Sequence, residues 1–298
     1  MLTIFTVPKP FLGHIGIIQR NAVQSWSRLR PACEIILCGD EPGTEEVAVE
    51  LKAKYVPSIA RNEYGTPLIN SVFEQVERMA SYQLMCYVNA DIILLSDLLD
   101  AVRRIRFRRF LMVGQRWDID LKEPWDFGQP DWEERLRRYV IDCGVLHPPG
   151  GSDYFVFPRD GAIGKFPPLA VGRPGWDNWF IYSARKLGIP VVDASRAVTP
   201  IHQNHDYSHV PNRKGETYEG PEGDWNLSLI GGYDYAFLLL DATHIMTSRA
   251  LFPALTYKHL RRRFHKLPIL VPATRPIIRL LRMVVRRLWA RRGGVSSQ

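Results

Sequence analysis

Apolar segments rich in strand-forming residues alternate with amphipathic, helix-like segments through the first 95 residues of the chain. Strands are predicted at residues 2–7, 34–38, 55–59 and 84–88, with residues 92–95 continuing the last of them. Helices are predicted between them, at residues 15–29, 44–55 and 67–79. Thr44 is the predicted N-cap of the second helix, and Pro67 a first-turn residue of the third. A β-α-β-α-β-α-β order predicts an α/β fold with a mostly parallel sheet and helices on both of its faces.

One acidic residue interrupts the most apolar of these strands, in the sequence CYVNADIILL at residues 86–95. Burying an aspartate is costly unless a partner compensates its charge. Ligands of parallel sheets bind outside the carboxyl ends of the strands. Asp91 follows one such strand end and Asp40 follows another, so we expect Asp91 to face a crevice rather than the core.

The middle of the chain is predicted to be richer in loops. Residues 115–140 alternate aromatic with charged side chains, whereas residues 148–159 are predicted as a glycine turn leading into a short strand. Residues 172–188 are predicted as a loop continuing into a helix, and residues 189–195 as the next strand.

Polar residues that could carry chemistry follow in a fixed order along the chain. The set comprises Asp40, Asn89-Ala90-Asp91, Gly151-Ser152-Asp153, Trp176-Asp177-Asn178 and the histidines His202, His205 and His209. A strand-end aspartate can ligate Mg²⁺ or Mn²⁺, which prefer oxygen donors, and Mn²⁺ also accepts imidazole. A metal in that position would stabilise a pyrophosphate as a leaving group.

With this order, residues 2–205 resemble the GT-A (Rossmann-like) glycosyltransferases, which use nucleotide-sugar donors. Asn89-Ala90-Asp91 is similar to the Asp-X-Asp motif of that family, with Asn in the first position. Asp40 matches an acidic position after the second strand. The sequence GWDNW at residues 175–179 resembles a segment whose carboxylate binds the acceptor hydroxyl. His202 is similar to a late histidine that completes the metal shell.

The resemblance implies a metal-assisted glycosyltransferase of the EC 2.4 type, acting with Mn²⁺ or Mg²⁺ on a glycan or lipid-linked acceptor. It assigns the metal to Asp91 and His202, with His205 as the alternative to His202. The donor nucleotide is assigned to Thr6, Pro8, Asp40, Arg61, Asn89 and Asp91. The donor sugar or acceptor is assigned to Gly151, Ser152, Asp153, Trp176 and Asn178. Asp177 would be the general base of an inverting reaction, or would orient the acceptor in a retaining one.

Two other functions stay open. Asn89 in place of Asp favours a catalytically inactive protein that binds a glycan or nucleotide sugar. A sugar nucleotidyltransferase also uses a strand-end aspartate and a metal, but the loop VPKPFLGHIG lacks the glycine-rich, basic pattern that cradles a triphosphate.

Each candidate residue also has a purely structural interpretation. Asp177 stands where a helix N-cap is expected, and histidines in a polar loop are commonly only solvated. The tryptophans can stack on sugars or simply pack; these are Trp117, Trp125, Trp132 and Trp176.

The net charge of +8 is concentrated at one end of the chain. Residues 258–298 contain 12 basic residues and no acidic ones, which leaves 27 basic and 31 acidic residues in residues 1–257. We therefore predict a glycosyltransferase-like domain at 1–257 and a basic tail at 258–298. Within the tail, Ile277, Leu281, Val284 and Leu288 recur at helical spacing opposite an arginine face.

A basic amphipathic helix of this kind suits an anionic membrane surface. A helix docked on protein and a nucleic-acid-binding arm are the alternatives for the tail. Nothing else in the sequence resembles a nucleic-acid module, so no nucleic-acid partner is expected.

The cysteines Cys33, Cys38, Cys86 and Cys143 have neither metal-site spacing nor the density of a disulfide framework. Cys38 and Cys86 lie in predicted strands, so buried, reduced thiols are expected. No apolar run is long enough to span a membrane. Together these features predict a cytoplasmic protein, peripheral on the inner face of the cell membrane.

Overall fold

A computed structural model describes residues 1–159, 162–205, 220–281 and 283. The chain forms two compact units, Met1–Ala254 and Leu255–Gln298. The domain boundary predicted from the charge distribution, after residue 257, lies three residues beyond the end of the first unit. In the described part of the chain, no helix combines the length and the apolar character needed to cross a membrane.

The strands of the first unit are short. In chain order they are β1 (Leu2–Thr6), β2 (Glu34–Cys38), β3 (Lys54–Val56), β4 (Leu84–Val88), β5 (Ile92–Ile93), β6 (Leu111–Val113), β7 (Trp117–Ile119), β8 (Val145–Leu146), β9 (Tyr154–Pro158), β10 (Val191–Arg196), β11 (Ile201–Gln203), β12 (His244–Thr247) and β13 (Leu251–Pro253).

The helices alternate with these strands. They are α1 (Gly13–Arg28), α2 (Thr44–Glu50), α3 (Ile69–Met79), α4 (Asp97–Arg104), α5 (Trp132–Cys143), α6 (Trp176–Lys186), α7 (Pro221–Ile230) and, in the second unit, α8 (Tyr257–Leu270). Residues 275–281 and 283 are also helical. The rest of the predicted tail helix, residues 284–292, lies outside the described residues.

The main sheet has the order β13-β12-β10-β6-β9-β4-β1-β2-β3. Its strands pair in parallel except at β9, which is antiparallel to both neighbours, and at β13. The prediction of a mostly parallel α/β sheet is confirmed. Because β1, β2 and β4 run in parallel, their carboxyl ends lie at one edge of the sheet.

A second, smaller sheet has the order β5-β11-β7-β8. Residues 92–95 were predicted to continue the strand that ends at Val88, and this is wrong. The amide of Ile92 donates to the carbonyl of Asn89 at 3.1 Å, which closes a tight turn and takes the chain out of the main sheet. The indole Nε1 of Trp26, fully buried on α1, donates to the carbonyl of Ile92 at 2.9 Å and fixes β5 against that helix.

Several predicted helix boundaries also differ from the structure. α2 ends at Glu50 rather than at residue 55, because the chain turns at Lys52, with φ of 55°, before β3 begins. The N-cap of α2 is Gly43, and Thr44 is its first helical residue. Pro67 precedes α3 because it pairs with Arg61 in an isolated antiparallel bridge.

Two apolar layers cover the main sheet. On one side, Trp26 and the apolar residues of α1 and α4 pack on the strands. On the other side, Phe5, Phe73, Phe157 and Phe180 form a cluster of ring contacts, with centroids 5.1–6.5 Å apart. All four cysteines are free, and Cys38 and Cys86 are buried as predicted.

Glu34, at the start of β2, joins four segments at the amino ends of the strands. Its carboxylate accepts hydrogen bonds from Thr3 Oγ1 at 2.6 Å and from the Ser81 amide at 2.8 Å, and it pairs with Lys54 Nζ at 2.5 Å. Burial alone would raise the pKa of Glu34, but these partners lower it to about 2.

We predict that Glu34→Gln lowers the free energy of unfolding at pH 7 by about 1–3 kcal/mol, because the charge-assisted hydrogen bonds are lost. The pKa of Glu34 is lowered by folding, so its stabilisation is present above its unfolded value of 4.5 and is lost as pH falls toward 2. The free energies of unfolding of the native protein and Glu34→Gln, measured with urea, should therefore converge as the pH falls from 4.5 to 2. Glu50→Gln is the control, because Glu50 pairs with Arg20 at an exposed position, where an ion pair contributes little to stability. A difference in the free energy of unfolding that is the same at all pH values would contradict the lowered pKa of Glu34.

Candidate functional site

The turn between β4 and β5 carries Asn89 and Asp91 away from the main sheet. Asp153, the residue just before β9, fixes the position of this turn. The Asn89 amide donates to the Asp153 carbonyl at 2.9 Å, and Asn89 Nδ2 donates to Asp153 Oδ1 at 2.7 Å. From the other side, Gln203 Nε2 donates to the carbonyl of Asp91 at 3.1 Å. Two side chains therefore hold the turn between the two sheets.

Two imidazoles approach the carboxylate of Asp91. His202 lies on β11, which pairs with β5 and brings His202 opposite Ile92. His205 Nε2 is 3.1 Å from Asp91 Oδ2, and His202 Nε2 is 3.9 Å from the same oxygen. The side chains of His205 and His202 are 2% and 8% exposed. His209, the third candidate histidine, lies outside the described residues.

Asp91 keeps its negative charge despite burial. Burial alone would raise its pKa, but the hydrogen bond from His205 and the charges of His202 and Lys9 hold that pKa below the usual range. Among the described residues, no donor reaches the second oxygen, Oδ1, which is buried. An ionised carboxylate can use an oxygen that accepts no hydrogen bond to ligate a cation.

The cluster fits a divalent metal ion. One ligand atom from each of Asp91, His202 and His205 lies within 4.8 Å of the others. Ligands about 2.1 Å from a common ion lie about 3 to 4 Å apart. One carboxylate and two imidazoles suit first-row divalent ions, Mn²⁺ and Fe²⁺ among them, better than Mg²⁺. The structure thus places both histidines proposed as alternatives beside Asp91, with His205 the nearer.

A partly buried ionic network continues from this cluster. Asp118 lies on β7. Its Oδ1 is 3.0 Å from His202 Nδ1, and its Oδ2 is 2.8 Å from His147 Nδ1. Arg116 Nε donates to Asp118 at 2.8 Å, and its Nη1 donates to Asp153 at 2.5 Å. The network therefore connects the turn carrying Asn89 to the histidine pair.

Arg116, Asp118 and His147 were not identified from the sequence. No strand or helix was predicted within residues 115–140, whereas β7 and most of α5 lie in this range. The available signal was the spacing of Arg116 and Asp118, since residues i and i+2 of a strand point to the same face.

A cavity of about 440 Å³ opens in front of these groups. Its lining includes the following sequence-predicted residues: Pro8, Asn89, Asp91, Gly151, Ser152, Asp153, Trp176, Asp177, Asn178, His202 and His205. It also includes residues that the sequence did not assign to the site: Gln19, Glu41, Arg116, His147 and Arg173. Asp91 lines this cavity, in agreement with the crevice expected for it.

Three predicted donor-binding residues do not line the cavity. Thr6 is fully buried within β1. Asp40 is exposed and pairs with Arg61 at 2.5 Å; the hydrogen bond from Arg61 lowers the pKa of Asp40. Arg61 also binds Glu41 at 2.9 Å, and Glu41 is the acidic residue of this group that reaches the cavity.

Asp177 lies in the first turn of α6, at the cavity. The N-cap of this helix is Gly175, in the left-handed conformation with φ of 101°, so Asp177 is not the N-cap. Burial and the negative charge of Asp153 raise the pKa of Asp177 to about 6. Hydrogen bonds from the amides of Asn178 and Ser152 act in the opposite direction and partly offset this rise. A carboxyl group with this pKa can take up and release a proton near neutral pH.

Its neighbours in the GWDNW segment have structural roles. Asn178 Nδ2 donates to the carbonyl of Phe237 at 3.0 Å. Trp176 is 5% exposed and packs on Tyr87 and Phe155, with centroids 4.9 and 5.3 Å away. The other three candidate tryptophans pack against a separate apolar cluster beside the small sheet, namely Trp117, Trp125 and Trp132.

Comparison with solved structures identifies the fold. GalNAc-T7 with UDP, GalNAc and Mn²⁺ aligns with a TM-score of 0.50 and 16% sequence identity over 78% of this chain and 48% of that chain. The present chain thus spans about half the length of that neighbour. TarS from S. aureus in complex with UDP-GlcNAc gives a TM-score of 0.46 and 14% identity over 72% and 61% of the two chains.

Glucosyl-3-phosphoglycerate synthase from Mycobacterium tuberculosis with Mg²⁺ and UDP gives a TM-score of 0.41 and 12% identity over 70% and 73% of the two chains. No protein-family model and no curated protein sequence matches the chain. The GT-A fold predicted from the sequence is confirmed.

We predict that Asp177→Asn stabilises the metal-free protein at pH 7, by no more than about 3 kcal/mol. Folding raises the pKa of Asp177 from 3.8 to about 6, so ionising it costs stability, and this cost grows as pH rises through that interval. Thermal unfolding should show the largest gain above pH 6 and little gain below pH 4. Asp177→Asn that is no more stable than the native protein at pH 7 would contradict the raised pKa.

Proposed function

We propose that the protein is a metal-dependent glycosyltransferase that moves a sugar from a nucleotide-sugar donor to a glycan or lipid-linked acceptor. The observation that carries the proposal is the Asp91, His202 and His205 cluster, which lines a cavity at the carboxyl ends of the strands in a GT-A fold. The likeness in fold to GalNAc-T7, whose structure contains UDP, GalNAc and Mn²⁺, supports the same class of donor.

Asp91, His202 and His205 would hold the metal. A bound divalent ion supplies charge that neutralises the diphosphate of the donor and stabilises it as a leaving group. Lys9 adds positive charge on the same side, with its Nζ 3.5 Å from His205 Nε2. Gln19 fixes the backbone of Lys9 through two hydrogen bonds, of 2.7 and 2.8 Å.

Asp153 and Asp177 would serve the acceptor side of the cavity. Asp177 binds the acceptor hydroxyl and, in an inverting reaction, removes its proton, since its raised pKa makes it a stronger base than an ordinary aspartate. In a retaining reaction it orients the hydroxyl. Trp176, packed on Tyr87 and Phe155, holds the start of α6 and therefore Asp177 in place.

A catalytically inactive binding protein is the second candidate. It is favoured by Asn89, whose side-chain amide is committed to Asp153 at 2.7 Å and which lacks the second carboxylate of an Asp-X-Asp motif. Such a protein would use the same cavity for a glycan or nucleotide sugar.

Incubated with Mn²⁺ and a panel of nucleotide sugars, the native protein should release nucleoside diphosphate from at least one donor by hydrolysis or transfer. Asp91→Ala should abolish this turnover, because it removes the carboxylate ligand. Asp100→Ala is the control, since Asp100 is an exposed carboxylate on α4 that pairs with Arg103.

Two outcomes would decide against the transferase. Absence of metal-dependent turnover with the complete panel, together with glycan binding in calorimetry without metal, would favour the binding protein. Metal-dependent binding of nucleoside triphosphates in preference to diphosphates would favour a nucleotidyltransferase.

We also propose that the second unit binds the anionic inner face of the cell membrane and thereby brings the enzyme to a lipid-linked acceptor. α8 and the residue after it carry apolar side chains at helical spacing, all 36–78% exposed: Tyr257, Leu260, Phe264, Leu267 and Val271. Ile277 and Leu281 are also exposed, at 61% and 44%. These apolar positions are interspersed with the basic residues of the tail, which has no acidic residue after 257.

The full-length protein should sediment with vesicles containing anionic lipid and not with neutral vesicles. Residues 274–292 contain seven arginines, and about half of them at roughly 1 kcal/mol each would contribute about 3–4 kcal/mol. Salt should weaken binding by screening these charges. Leu260→Ser with Leu267→Ser should reduce the binding that persists at high salt, whereas Leu187→Ser, an exposed leucine of the first unit, should not. Lack of binding to anionic vesicles at low salt would refute the proposal.

A further inference from the structure

The carboxylate of Asp118 lies behind one of the two imidazoles that face Asp91. β7 pairs in parallel with β11, and the register places Asp118 directly beside His202. Asp118 Oδ1 is 3.0 Å from His202 Nδ1, while His202 Nε2 is the atom 3.9 Å from Asp91. The two nitrogens of one ring therefore contact two different carboxylates.

We propose that Asp118 is a positioning residue, which holds His202 in the tautomer with the proton on Nδ1 and so presents Nε2 as a metal ligand. This inference rests on the metal site of the proposed function. Histidines that ligate metals commonly donate their other N–H to a carboxylate, which fixes both the tautomer and the orientation of the ring. An imidazole nitrogen must be unprotonated to ligate a metal.

Asp118 can act in this way because it is itself fixed and ionised. Arg116 Nε and His147 Nδ1 contact its carboxylate, each at 2.8 Å. The guanidinium of Arg116 pairs with this carboxylate and favours its ionised form. A deprotonated carboxylate only accepts hydrogen bonds, so the nitrogen of His202 that faces it carries the proton.

The contact between Asp118 Oδ1 and His202 Nδ1 is short, but the two atoms do not form an aligned hydrogen bond. The N–H of His202 therefore does not point straight at the oxygen. The alternative role for Asp118 is purely structural, as a counter-ion to Arg116. Loss of a counter-ion would lower stability without changing the protonation of His202. The tautomer of His202 therefore separates the two roles.

The first experiment measures this tautomer in the metal-free, full-length protein by long-range ¹H–¹⁵N NMR of the histidine rings. The native protein should show His202 protonated on Nδ1, and Asp118→Ala should shift it toward the Nε2-protonated form. A native protein with His202 protonated on Nε2 would overturn the inference, and this result requires no variant to fold.

The second experiment measures Mn²⁺ affinity by electron paramagnetic resonance, without nucleotide or acceptor. Asp118→Ala and Asp118→Asn should weaken Mn²⁺ binding about 10- to 100-fold. Asp97→Asn is the matched control, because Asp97 is a similarly buried carboxylate paired with an arginine, Arg137, at 2.9 Å. The exposed fractions of the two aspartate side chains are 18% for Asp97 and 20% for Asp118.

The possible results separate the two proposals. Native protein that binds no Mn²⁺ would refute the metal site, and the NMR measurement would still test the contact between Asp118 and His202. Folded Asp118 variants that bind Mn²⁺ within twofold of the native protein, with an unchanged His202 tautomer, would refute the positioning role alone.

Discussion

The guanidinium of Arg116 holds together the acidic groups on which the candidate site depends. Its side chain is only 13% exposed, and it binds Asp118 on one side and Asp153 on the other. Two buried carboxylates so close to one cavity would otherwise carry a large desolvation cost. Through Asp153 the same cation also supports the turn that presents Asp91, because Asp153 holds Asn89 by its side chain and its carbonyl.

The aspartates of the site differ because their partners differ. Asp91 is surrounded by His202, His205 and Lys9, and the pKa of Asp91 lies below its usual range. Burial is the dominant influence at Asp177, and the negative charge of the nearby Asp153 raises its pKa further, to about 6. Neighbouring carboxyl groups whose environments give them different pKa values can take different roles. Here these roles are a cation ligand for Asp91 and a proton acceptor for Asp177.

The sequence predicted those parts of the arrangement that depend on neighbouring residues, and it did not predict those that depend on residues far apart in the chain. β2 and β4 were predicted with their observed bounds, because each contains an apolar run of strand-forming residues. β7 was missed because it has three residues and pairs with β11, more than eighty positions later. Asp91 was recognised because an acid within an apolar strand is conspicuous, whereas Asp118 lies in a polar segment, where its spacing from Arg116 is a much weaker signal. Asp40 was placed correctly after a strand, but its pairing with Arg61 depends on a loop conformation that no local pattern encodes.

The small sheet explains why the metal candidates and the rest of the site form one structure. β11 lies between β5, which follows Asp91, and β7, which carries Asp118. His202, in the middle of β11, is therefore aligned by backbone pairing on both sides, in addition to its side-chain contacts. Backbone hydrogen bonds hold such positions more rigidly than a loop can, and rigidity is what a ligand site requires. The cost is that residues from four separate parts of the sequence, Asp91, Asp118, Asp153 and His202, must be brought together by long-range pairing. The site consequently forms only as the two sheets form.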